Sequence, residues 1–142
     1  MIGRLWSSFL TDVVRYRGST RAAAIMRMGF ILVIWRKYGA TMVLTSAVGD
    51  PSLLPFAFPF WIVTTMAFFG FYSRFSTLSS GAICLFMYGW FGILQGVSEP
   101  WVHHHTYLVS VLTFLLGFTD CGRSLSIDRW LAVRKAKRDK HP

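Results

Sequence analysis

The chain has 142 residues, 54% hydrophobic and 17% aromatic, with a mean hydropathy of +0.46. Fifteen Lys and Arg against six Asp and Glu give a net charge of +9. This balance excludes an ordinary soluble domain, and cations gathered at the two ends of the chain point to anionic lipid headgroups, not to nucleic acid.

In residues 4–17, Leu5, Trp6, Phe9, Leu10, Val13 and Val14 recur at helical spacing, while Ser7, Ser8, Thr11, Asp12 and Arg15 fill the other side. The segment is expected to lie in a membrane interface with Arg4, Arg15 and Arg17 toward headgroups. It lacks the unbroken apolar core and small-residue cleavage site of a secretory signal.

The first membrane helix is expected over 22–48. Arg27 is near one end and can snorkel. Arg36 and Lys37 are near the middle of any span long enough to cross. There a cation costs several kcal/mol and must face a partner, water or headgroups. In one reading Arg36 is held by a carboxylate or phosphate within the membrane. In the other the helix stops at Trp35, and both cations sit at the far interface. Asp50-Pro51 and Pro55 then mark a turn.

The second helix is expected over 56–75, with Pro59 in its first turn and Arg74 at its exit. The third, 77–97, has twenty-one residues and no formal charge. At about 1.5 Å per residue it covers about 30 Å, one bilayer core. Gly92 and Gly96 form a GxxxG, and Ser80 and Cys84 continue the small-residue spacing, so this face is expected to meet another helix. Ser98-Glu99-Pro100-Trp101 is a loop.

The fourth helix is expected over 103–119, capped by Gly122. The rest, 121–142, reads as a basic tail with a short helix. Ser126 is its cap, Asp128 is in its first turn, and Trp130 is on its oily side. Cys84 and Cys121 give no disulfide framework and read as packing residues. Loops holding Lys and Arg alternate with the Asp50 and Glu99 loops, which hold none, so both termini are expected to be cytoplasmic. The fold class is therefore all-α: one domain, a four-helix transmembrane bundle with an interfacial N-terminal helix and a short basic C-terminal helix.

Chemistry is sparse. His103, His104 and His105 are adjacent, so their side chains start about 100° apart on a helix and do not converge on one metal. A single imidazole beside an apolar slot can ligate a porphyrin-type magnesium or iron, or contact a quinone. The alternative is interfacial histidines bonded to headgroups, water or a partner. The sequence holds no phosphate loop, nucleophile motif or paired intramembrane carboxylates.

His104, His105 and Tyr107, the apolar helix after them, and Gly122-Arg123-Ser124-Leu125-Ser126-Ile127-Asp128 resemble the last helix of the DoxX-like and HTTM membrane families. HTTM is the transmembrane module of vitamin K-dependent gamma-carboxylases and many bacterial proteins. Arg27-Met28-Gly29 is similar to the start of that family's first helix. The resemblance implies a compact helical bundle in a membrane, here a bacterial inner membrane, associated with quinone-linked or other membrane enzymes. The chain lacks the carboxylases' further helices and lumenal domain, and the resemblance assigns no catalytic residue. The expected function is a non-catalytic accessory subunit of a larger energy-transducing complex, photosynthetic or respiratory. It would contact other subunits and lipid through Arg36, Lys37, Gly92, Gly96 and Trp130, with lipid, quinone or pigment at its interfaces. The alternative is a DoxX-like subunit of a quinone-linked oxidoreductase, with the histidines and Arg36 as polar contacts.

Overall fold

The computed structural model describes residues 20–43, 54–94, 96 and 104–139. The expected interfacial segment 4–17, the Asp50 and Glu99 loops and His103 lie outside the described residues. Five α-helices make up most of the described chain, and no strand occurs among the described residues. α1, Thr20–Ile34, continues through a π-helical turn, Trp35–Gly39, and stays helical to residue 43. α2 is Leu54–Phe69 and α3 is Ser73–Met87, the latter extended by a π-helical stretch, Tyr88–Leu94. α4 is His104–Leu116 and α5 is Ile127–Arg138.

The start of α1, the end of α2, the start of α3 and the segment after α4 meet at one end through hydrogen bonds. Consecutive helices in the bundle therefore run in opposite directions. α5 lies outside the bundle and has no buried residue.

The break between the second and third helices is at 70–72, earlier than the expected exit at Arg74. Gly70, at φ +70°, makes it: Phe71 N–H bonds to the Met66 carbonyl at 2.9 Å and Gly70 N–H to that of Ala67 at 3.3 Å. This is the paired termination for which a left-handed glycine is suited. Gly122, the expected cap of the fourth helix, is not left-handed. It allows close approach instead: a Cβ there would lie 2.6 Å from the Ser73 Cβ.

The expected GxxxG face does not form as a helical stripe. Gly92 is buried in the π-helical stretch, but Gly96 is beyond it at φ +67°, exposed, with nothing within 4 Å of a Cβ. The close helix contact is earlier, where Gly81 of α3 meets the backbone of α4. A Cβ on Gly81 would be 2.5 Å from the Phe114 Cα. Ser80 and Cys84, expected on a packed face, are fully buried on this inner side.

Gly81→Ala is expected to push α3 from α4 and cost about 2–3 kcal/mol, the usual scale of overpacking against an unyielding neighbour. Gly29 is exposed with open space around its Cβ position. Gly29→Ala should be neutral or stabilising by up to about 1 kcal/mol. Thermal unfolding of both variants in mild detergent checks the contrast.

Polarity is distributed inside out. Arg27, Thr64, Ser73, Ser76, Thr77, Ser80, Thr106, Ser110 and Thr113 are buried, while Ile25, Phe58, Phe75, Phe86, Leu108 and Leu115 are among many large apolar side chains on the outside. Most of the inner hydroxyls are satisfied within their own helix. Thr64, Thr77, Ser80, Ser110 and Thr113 each donate to the carbonyl four residues earlier at 2.6–2.7 Å. Such back-bonding makes a hydroxyl compatible with an apolar surrounding. Among the described residues one helix, Ser73–Leu94, is long and apolar enough to cross a membrane. Leu54–Phe69 and His104–Leu116 are apolar but shorter.

Candidate functional site

The most connected polar structure is at the end of the bundle where α1, α2, α3 and the 120–128 segment meet. It begins with an unfinished helix. Tyr72, left-handed at φ 46°, precedes α3 and gives no side-chain cap. The first N–H groups of a helix have no partner within it, and the helix dipole makes them positive. Asp128, from the first turn of α5, supplies the cap. Its Oδ1 accepts from Tyr72 N–H at 2.9 Å, and its Oδ2 accepts from Ser73 N–H and the Ser73 hydroxyl, each at 2.7 Å.

Ser126 prepares Asp128 for this role. As expected it caps α5, accepting from Arg129 N–H at 3.2 Å while its hydroxyl donates to the Gly122 carbonyl. Asp128 N–H in turn donates to the Gly70 carbonyl at 3.2 Å, and the Ser73 hydroxyl reaches that carbonyl at 2.9 Å. A Cβ on Gly70 would lie 2.4 Å from the Ser126 Cβ and 2.7 Å from a guanidinium nitrogen of Arg27. Gly70 thus meets two demands, a left-handed backbone and contact with neighbours on two sides.

Arg27 is beneath this junction. It does not snorkel: the side chain is 0% exposed. Its two terminal nitrogens donate to the Cys121 and Leu125 carbonyls at 2.7 and 2.8 Å. These carbonyls are left open where the chain turns out of α4 and into α5, so the guanidinium fork gains more by turning inward than by reaching outward. Its Nε is the buried side-chain polar atom without a partner among the described residues. Burial acts to raise the Asp128 carboxyl. The bonds from Ser73 and Tyr72 and the nearby Arg27 charge outweigh burial and hold it below its ordinary value.

The rim is ionic and exposed. Asp120 pairs with Arg74 and, at 3.1 Å, with Arg123, and Thr20 and Ser124 share a hydroxyl bond of 2.7 Å.

The residues singled out in the sequence lie elsewhere. His104 and His105 open α4, both exposed, with ring centroids 3.8 Å apart. The rings meet instead of diverging, tilted by 37° to each other. The crevice beside His105, shared with Lys37, Tyr38 and Val109, holds about 20 Å³. Ligand pockets run to about 300–1,000 Å³, so the described residues alone do not enclose a pigment or quinone at these histidines.

Arg36 and Lys37 are exposed in the π-helical turn of α1, and neither side chain has a partner among the described residues. Trp130 is exposed on α5 with the Arg134 guanidinium 5.3 Å from its ring centre. Among the described residues no group of three or more His, Cys, Asp or Glu is placed to hold a metal.

Sequence reasoning left Gly70 unassigned and gave Asp128 only a local role. The available signal was a glycine directly after an apolar run, which marks a helix end. Nothing local marks Asp128 as the cap of a helix 55 residues earlier.

No protein-family model, curated protein or solved structure matches the chain. Arg27, Gly122, Ser126 and Asp128 together close this end of the bundle. The Asp128 carboxylate is occupied by the start of α3 and the Arg27 guanidinium by two carbonyls. Ser73 and Asp128 also line an open cavity of about 470 Å³ with Arg74, Asp120 and Arg123.

Proposed function

We propose that the chain is a four-span integral membrane protein that acts without catalysis, as an accessory subunit packed against a larger membrane complex. The observation that carries this reading is the placement of Arg36 and Lys37. Both cations are in an apolar exterior and have no partner among the described residues. An exterior of Leu, Ile and Phe over an interior of back-bonded hydroxyls supports lipid as the solvent. The shorter apolar helices fit as spans when they tilt or when the bilayer thins around them.

In this reading the Arg27–Asp128 end is cytoplasmic, because Arg74, Arg123 and the basic α5 gather there. The inner membrane of a bacterium and a photosynthetic or respiratory host belong to the same proposal. Among the described residues no cavity of ligand size beside His104 and His105 supports the quinone-linked alternative.

The test is native purification in mild detergent. The subunit should migrate with a larger assembly, and Arg36→Ala should reduce its recovery at least severalfold while Arg134→Ala leaves it unchanged. A desolvated guanidinium that loses its carboxylate or phosphate leaves that group unpaired, whereas an exposed tail cation contributes little. Equal recovery of both variants would remove Arg36 from the interface. Migration of the wild type as a monomer would remove the complex.

A further inference from the structure

A second feature of the cytoplasmic end is left unused by the Arg27–Asp128 junction. An open groove of about 880 Å³ runs between the start of α1 and the start of α5. Arg21, Arg123 and Arg129 line it, and all three are exposed. The acid on its wall, Asp128, is already committed to the start of α3. Thr20 and Ser124 place hydroxyls at its edge, and the N–H groups of Ser124 and Leu125 have no partner among the described residues. Cations, hydroxyls and open N–H groups together form a surface complementary to a phosphate.

The surroundings select the kind of phosphate. Ile25, one helical turn beyond Arg21 and so on the same side of α1, is exposed. Leu125, in the wall of the groove, and Val133, one turn beyond Arg129 on α5, are exposed as well. A cationic groove flanked by apolar side chains fits a molecule with an anionic head and hydrocarbon chains.

We propose that this groove is a binding site for the headgroup of an anionic phospholipid, with Arg21, Arg123 and Arg129 on its phosphate. The site rests on the membrane reading given above but not on the existence of a partner complex. Arg21 and Arg129 are the residues to test, since Arg123 also pairs with Asp120. Neither has a side-chain partner among the described residues, so their replacement leaves the fold intact.

The experiment is native mass spectrometry of the detergent-purified protein with phosphatidylglycerol and phosphatidylcholine of matched chains. The wild type should retain the anionic lipid roughly tenfold better than the zwitterionic one, and R21Q/R129Q should lose most of that preference. R134Q/R138Q, which removes two cations outside the groove, should keep it. Equal retention by wild type and R21Q/R129Q would overturn the site. An equal loss in R134Q/R138Q would overturn it in favour of diffuse charge. Displacement of the lipid by inorganic phosphate would reassign the groove to a free anion. A failure of the membrane reading has its own signature, a protein that stays dispersed without detergent.

Discussion

Asp128→Ala is expected to destabilise the protein by about 3 kcal/mol, though the side chain lies in the first turn of a surface helix. Hydrogen bonds to a charged group contribute about 1.5–3 kcal/mol each, and Asp128 accepts three. The carboxylate is half-buried, so water screens part of this and the sum is well below additive. Asp128→Asn should be nearly as damaging, because its amide turns a donor toward donors that need an acceptor. Asp139→Ala, at an exposed position, should stay within about 0.5 kcal/mol of wild type.

The same carboxylate sets a response to acid. It holds its proton less tightly in the folded state than the ordinary aspartate value of 3.8. Its contribution is therefore whole above that pH and is lost as pH falls through the lower folded value. Melting temperatures of wild type and Asp128→Ala, measured from pH 7 downward in one detergent, should converge below pH 3.8. A constant gap would show that the charge of Asp128 is not what stabilises the start of α3.

Arg27→Leu is expected to cost about 2–4 kcal/mol. Two carbonyls lose charge-assisted partners, and an unpaired buried acceptor costs about 1–3 kcal/mol. The leucine also relieves the burial of a guanidinium, which keeps the net effect below the sum of the two losses. Arg27→Lys should recover part, since an ammonium keeps the charge without the fork that spans both carbonyls. Trypsin supplies a second measurement, because Arg123 is between the two carbonyls that Arg27 holds. Cleavage after Arg123 should accelerate in Arg27→Leu and not in Arg21→Leu. The double variant Arg27→Leu/Asp128→Ala should lose less than the two single losses combined, as neighbours in one network do.

The helices were legible because their apolar runs are long and their breaks carry Pro or Gly. The inward side of α3 was legible in part: Ser80 and Cys84 face the core, but the neighbouring Gly92-x-x-x-Gly96 motif misleads. Its second glycine is past the helix end, where a motif counts residues but not backbone direction. Arg27 misled for a different reason. Distance from a helix end is visible in a sequence, and open carbonyls 94 and 98 residues away are not. Tyr72-Ser73-Arg74 looked like an exit because it is polar, yet Ser73 begins the next helix. The π-helical stretches in α1 and after α3 left no pattern that apolar spacing can report.

The long-range cap of α3 also orders the protein's assembly in time. A ribosome delivers Tyr72 and Ser73 before Asp128, and Arg27 before Cys121 and Leu125. While the earlier helices form, the start of α3 has only its surroundings for its amides, and Arg27 has neither carbonyl to hold. That end of the bundle closes after residue 128 has emerged. Nascent chains that stop before residue 128 should therefore be recognised and degraded as incomplete, even with their apolar helices already made.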